Sequence, residues 1–133
     1  MNSRPPVIRC HHLGCLVDFA AFGGSHPTLP ALLARLRENP DQIVRVVVGQ
    51  DDACLPCPFW NDGQCTQRPG REERNRAKDE RFLTILALED GQELSFRQAM
   101  ALVYERLGRD LLAQLCPSCH FGQCATAIGR RPI

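Results

Sequence analysis

Seven cysteines and two histidines of this chain stand in patterns that could do inorganic chemistry. Cys54-Leu-Pro-Cys57, with Cys65 after it, gathers three sulfurs in a stretch rich in Pro, Asp and Gly. Cys116-Pro-Ser-Cys119 with Cys124 forms a second group near the C-terminus, and Cys15 follows His11-His12 near the N-terminus. Cys-x2-Cys spacing has a physical reason. A tight turn aims two thiolates and several backbone N–H groups at one point, so both sulfurs reach one ion or cluster while the amides offset their charge. Two such knuckles, each with a third cysteine nearby, point to metal.

Three chemistries compete for these residues. An iron–sulfur cluster takes soft thiolate ligands, commonly four. Cys54, Cys57 and Cys65 with the distant Cys15 make one such set, while Cys116, Cys119 and Cys124 form a second or complete a shared one. Pro58 directly after Cys57 matches the Cys-Pro ending of bacterial ferredoxin motifs. Structural zinc is the alternative, because two knuckles give a closed tetrahedral site, but it leaves Cys15, Cys65 and Cys124 without a role. Dithiol redox chemistry at Cys116 and Cys119 is the third. A thioredoxin-like pair follows a strand and opens a helix in a βαβ unit, whereas here the pair follows a helical stripe and only a short tail remains.

The histidines have bland readings as well as chemical ones. His11 and His12 lie four and three residues before Cys15, so either can share a helix face with that thiol, as a ligand or as an acid–base group beside the centre. A histidine at a helix start is more often a cap or a satisfied core residue. His26 precedes a proline in a turn, and His120 sits inside the second cysteine group. Cys10 takes the ordinary role of a small buried hydrophobe.

Composition bounds the partners. A formal net charge of +1, with one Trp and one Tyr, gives no electrostatic or stacking case for nucleic acid. No apolar run approaches the roughly 20 residues that span a bilayer. Eight cysteines among 133 residues would suit a secreted disulfide protein, but the N-terminal stretch carries Arg4, Arg9, His11 and His12 where a leader would be apolar. The expected compartment is therefore a reducing cytoplasm, and the expected partner a redox protein or a small molecule.

The elements that must position these residues are legible in outline. Residues 1–8 read as an irregular tail. Leu13, Leu16, Val17 and Ala20 recur at helical spacing between Cys10 and Phe22. Thr28 is a candidate cap for a helix striped by Leu29, Leu32, Leu33 and Leu36 and stopped at Asn39-Pro40. Ile43 to Val48 is a β-branched run and reads as a buried strand that delivers the chain into the first cysteine loop. Arg71 to Leu88 reads as a long helix, polar in its first half; its mixed charges, with Glu72 four residues before Arg76, predict a solvated, salt-bridged face. Ser95 caps a last helix with Phe96, Ala99, Met100, Val103 and Leu107 on its core side. The expectation is one compact α+β domain over 1–133, mostly helical, with one or two short strands and cysteine-rich loops.

The motifs Arg9-Cys-His11-His12-Leu-Gly-Cys15, Gly49-Gln-Asp51-Asp52-Ala-Cys54-Leu-Pro-Cys57-Pro58 and Asn61-Asp-Gly63-Gln-Cys65 occur in order, with Asp79 and the Cys116, Cys119, Cys124 group downstream. Together they resemble the small prokaryotic family called domain of unknown function 1284. The resemblance implies an iron–sulfur-binding protein with His11, His12, Cys15, Cys54, Cys57, Cys65, Cys116, Cys119 and Cys124 as the site residues; the expected cofactor is one or two clusters of the [4Fe-4S] type, with zinc as the alternative. Cys10 departs from the Pro or Gly usual there, and His120-Phe121 stands where a Trp is expected. The resemblance names a site and no reaction.

Overall fold

The computed structural model describes residues 4–14, 28–66 and 69–107. Cys15, His26, Cys116, Cys119, His120 and Cys124 lie outside them.

Strand β1 (Val7–Arg9) begins the described order, followed by α1 (Leu29–Glu38), β2 (Ile43–Val47), β3 (Trp60–Asn61), β4 (Gln64–Cys65), α2 (Arg71–Leu86), β5 (Gln92–Ser95) and α3 (Phe96–Arg106). The α+β class holds. The supposed tail is corrected, because Val7 and Ile8 pair in parallel with Arg45 and Val46. The expectation of one or two strands is corrected as well: β1, β2 and β5 form one sheet, with β2 central and β5 antiparallel to it, and β3 and β4 form a separate hairpin.

The β-branched run makes β2 because its alternate side chains, Val44 and Val46, are fully buried, while Ile43 is turned outward. Ile8 of β1 is buried with them. Leu29, Leu32, Leu33 and Leu36 of α1, Phe82, Leu83 and Leu86 of α2, and Phe96, Ala99 and Val103 of α3 complete one core. Ser95 caps α3 as its sequence predicts. Its hydroxyl oxygen accepts from the Gln98 backbone N–H at 3.0 Å, while the Gln98 side chain accepts from the Ser95 N–H at 3.0 Å. Thr28 begins α1, but its hydroxyl donates to the Ala53 carbonyl at 2.7 Å instead of capping the helix. That bond ties α1 to the first cysteine turn.

Two connections carry the chain to the site. After Arg9 the backbone turns, and residues 12–14 are helical, so His11 and His12 stand where β1 ends. After β2 the chain passes Gly49, in the left-handed region at φ 96°, and enters the turns of the cysteine segment.

Candidate metal centre

The cysteine segment is built on one carboxylate. Asp51 is 2% exposed, and its Oδ1 accepts from the backbone N–H groups of Ala53 and Cys54 at 3.0 and 2.9 Å. This is the local turn that Asp favours over regular structure. The Cys54 N–H also reaches the Asp51 carbonyl, Cys57 N–H the Cys54 carbonyl, and Trp60 N–H the Cys57 carbonyl, all at 3.0–3.1 Å. These successive turns carry the chain into the β3–β4 hairpin. The hairpin closes on Asp62 and Gly63, both at positive φ, and sets Cys65 opposite Trp60. Cys65 thus belongs to a strand and not to a loop.

The other oxygen of Asp51 reaches the N-terminal segment. Oδ2 accepts from the Arg9 N–H at 2.8 Å and lies 2.8 Å from His12 Nδ1. With Nδ1 held by a carboxylate, ligation by His12 would fall to Nε2, as in the carboxylate–histidine pairs that orient metal ligands. Burial alone would raise the Asp51 carboxyl, but His12 and the bonds it accepts bring it down to about 2. A parallel pair lies alongside. Asp79 Oδ1 accepts from the His11 N–H at 3.0 Å and lies 2.7 Å from His11 Nδ1, and the two imidazoles meet edge to face at 4.7 Å. Burial, against the pull of Asp79, pushes His11 down to about 3, so its ring is neutral.

Arg9 joins both halves. It is 1% exposed. Its Nε donates to Asp79 Oδ2 at 3.0 Å, and its two terminal nitrogens donate to the Glu72 carboxylate at 3.2 Å each. Nη2 also stands 2.8 Å from Asp79 Oδ2, and Nη1 lies 3.7 Å from Cys54 Sγ. Burial opposes the charge on Arg9, but Asp79 and Glu72 raise its pKa further. Burial would raise Asp79, yet His11 and Arg9 hold it well below the usual carboxylate range. Asp79 Oδ2 accepts in addition from the Gly49 N–H at 3.0 Å, and Glu72 takes Arg76 at 2.9 Å and the Cys65 N–H at 3.3 Å. A Cβ on Gly49 would come within 3.0 Å of the Arg76 guanidinium.

These groups line a partly open pocket of about 40 Å³ formed by Arg9, His12, Cys54, Cys57, Cys65 and Asn75, with Ala53 and Trp60 as its apolar side. Cys54, Cys57 and Cys65 are free thiols. Burial, with Asp51 nearby, pushes Cys54 up to about 12, and burial with Cys65 and Asp51 raises Cys57. His12, Asp51 and Cys54 bring one ligand atom each within 4.8 Å of one another, a group that could hold a metal ion. That spacing is somewhat wider than the ~3.6 Å set by tetrahedral bonds of about 2.2 Å. Asp51 also accepts hydrogen bonds from the Arg9, Ala53 and Cys54 backbone N–H groups and pairs with His12, so it orients His12 and Cys54 as well. The donor set of thiols and imidazole fits a soft or borderline metal.

The Protein of unknown function (DUF1284) family model matches residues 28–125. The chain belongs to this family. The match includes Cys54, Cys57, Cys65, Cys116, Cys119 and Cys124, and it begins downstream of Arg9, His11, His12 and Cys15. No curated protein and no solved structure matches the chain.

Of the nine expected site residues, the structure brings His12, Cys54, Cys57 and Cys65 to one cavity and sets His11 beside His12. It buries Cys10 completely in the hydrophobic core, where burial raises its thiol. The solvated face expected on α2 is corrected in part: Glu72, Asn75 and Asp79 are buried. Sequence reasoning passed over Arg9, Asp51, Glu72 and Asp79 as functional side chains. The available signal was the spacing 72, 75, 79, which places three polar residues on one helix face.

Proposed function

We propose that this chain binds an iron–sulfur centre through the thiolates of Cys54, Cys57 and Cys65. The observation that supports this is the meeting of three thiols, from two turns and a hairpin strand, on one cavity with His12. Arg9, donating to Cys54 Sγ, offsets thiolate charge there, as hydrogen bonds to cluster sulfurs do. The remaining coordination position falls to Cys15, His12 or an exogenous ligand. Cys116, Cys119 and Cys124 make a second set or join the first. When bound, such a centre supplies one-electron transfer or Lewis-acid iron, for a redox partner or a small molecule. Free thiols at Cys10, Cys54, Cys57 and Cys65 suit a reducing cytoplasm. Among the described residues, no helix is long and apolar enough to cross a membrane.

Zinc is the second reading, favoured by the cavity volume. About 40 Å³ holds an ion with its water. Anaerobic purification, with iron, acid-labile sulfide and zinc measured on one sample, separates the two. Matched iron and sulfide with a visible absorption band is the expected result, and stoichiometric zinc without sulfide would replace the cluster by an ion. Trp60, the chain's single tryptophan, lines the cavity. Its fluorescence should therefore change on loading under either reading. Neither metal, with freely reactive thiols, would overturn both.

A further inference from the structure

Helix α2 sorts its charges into rows. Glu72 and Asp79 face inward, where both bind Arg9. Glu73, Arg76 and Glu80 share one outer flank, with Arg76 three residues after Glu73 and four before Glu80. On the other flank Arg71, Arg74, Lys78 and Arg81 follow one another at steps of three and four, which makes them a single row. Arg74 and Arg81 are exposed, and Arg71 and Lys78 are half-buried. None of the four has an acidic residue three or four positions away. Among the described residues, none of them forms an ion pair.

Such a row works against the helix that carries it. Arg71 with Arg74, Arg74 with Lys78, and Lys78 with Arg81 are like-charge neighbours, and each pair disfavours the helix. Arg71 and Arg74 also stand towards its N-terminal end, where the helix dipole repels cations. Helix stability therefore gives no reason for the segregation, and a partner does. Four cations over about 15 Å of helix axis complement a row of carboxylates of similar length. The row also borders the site. Arg71 and Lys78 stand four residues before and three after Asn75, which lines the cysteine pocket, so both are its neighbours on the helix surface.

We propose that Arg71, Arg74, Lys78 and Arg81 form the docking surface for an acidic protein, which they seat beside the cysteine pocket. This identifies the redox partner named above by its chemistry, and in that respect it rests on the metal-centre reading; the contact itself needs no metal. A protein fits the row better than a nucleic acid does. The row carries no aromatic side chain on which a base could stack. Glu73 and Glu80 on the opposite flank confine the positive face to one row, and the chain's formal net charge is only +1.

The test measures binding of a short, labelled oligoglutamate peptide to the full, metal-free chain by fluorescence anisotropy at low salt. The wild type should bind it saturably, and added salt should release it as the charges are screened. Arg74→Glu with Arg81→Glu should weaken binding at least about tenfold, because each substitution turns an attraction into a repulsion. That variant should melt no lower than the wild type, since it gives Lys78 oppositely charged neighbours. Arg35→Glu with Arg37→Glu, which changes the net charge equally on the exposed side of α1, should cost far less affinity. Equal affinity in the row variant, or an equal loss in the α1 variant, would overturn the proposal. Tighter binding of a single-stranded oligonucleotide of the same charge would overturn it too and assign the row to phosphate. So would a row variant that melts well below the wild type, which would give the row a structural role. Failure of the metal-centre reading shows in the iron, sulfide and zinc analysis and leaves these affinities unchanged.

Discussion

Removing the Arg9 guanidinium should unfold this protein more effectively than removing any thiol. Arg9→Met keeps most of the side-chain volume and deletes every donor. Left behind are Asp79, fully buried, and Glu72, 8% exposed, both facing the vacated guanidinium. Breaking a buried ion pair from one side costs about 3–5 kcal/mol, because the surviving charge has no partner and little water. Three donors remain on Asp79 (two from His11 and one from Gly49), and Arg76 stays on Glu72, which keeps the loss within that range. For a chain of this size the melting temperature should fall by roughly 10–20 °C. Urea titration of metal-free protein, followed by circular dichroism, measures the loss without any contribution from loading. The triple variant Arg9→Met, Glu72→Gln, Asp79→Asn removes all three charges and should recover a large part of it. A single variant that loses less than about 1 kcal/mol would refute the reasoning. So would a triple variant as unstable as the single one, since the loss would then come from packing and not from stranded carboxylates.

Other outcomes follow from the same geometry. Asp51→Asn replaces one of two acceptor oxygens with a donor although the groups around Asp51 donate to it, so metal affinity, measured by competition with a chelator, should drop about 10–100-fold. Cys54→Ser should abolish the centre, whereas Cys10→Ser, altering a thiol sealed in the core, should leave metal content unchanged. Loading should release protons in weakly buffered solution, because the raised Cys54 and Cys57 thiols are protonated in the free protein; apparent affinity should accordingly rise with pH. Stability should fall on acidification from about pH 6.5 towards 3. His11 is held neutral in the fold down to about 3, while the unfolded chain takes up its proton near 6.5. Asp51, depressed to about 2, adds a further loss below about pH 4. His11→Asn, which retains a donor for Asp79, should flatten the upper part of that profile in equilibrium unfolding measurements.

The sequence was informative where one face of an element repeats. The leucines of α1 and the Val44, Val46 alternation of β2 have periods that can be counted, and Ser95 with Gln98 spells a capping box. Strands of two or three residues carry no period. β1 exists because Val7, Ile8 and Arg9 find β2, and nothing between Pro6 and Cys10 announces that pairing. Thr28 shows the opposite limit. Its position at the start of α1 was legible, but its hydroxyl is drawn away by the Ala53 carbonyl, a tertiary partner that no local rule anticipates. The Cys-x2-Cys spacing marked Cys54 and Cys57 because its chemistry is local, and His12 was found through its distance from a cysteine. Asp51 supports all of these from within the same motif and looked like turn material, which it also is.

The charged half of α2 teaches more. Mixed charges on a helix usually mean solvent, and most of this half obeys: Glu73, Arg74 and Lys78 lie outside the buried face. Yet the buried positions of the helix are Glu72, Asn75, Asp79, Phe82, Leu83 and Leu86, steps of three and four throughout except where Phe82 and Leu83 share a turn. One inward stripe therefore runs the whole length, and only its chemistry changes. Its C-terminal half meets the hydrophobic core, while its N-terminal half meets Arg9 and the cysteine cavity. A stripe that keeps its period while turning polar requires a polar counterpart of the same length across from it. Arg9 provides that for Glu72 and Asp79. Asn75, between them, lines the cysteine pocket.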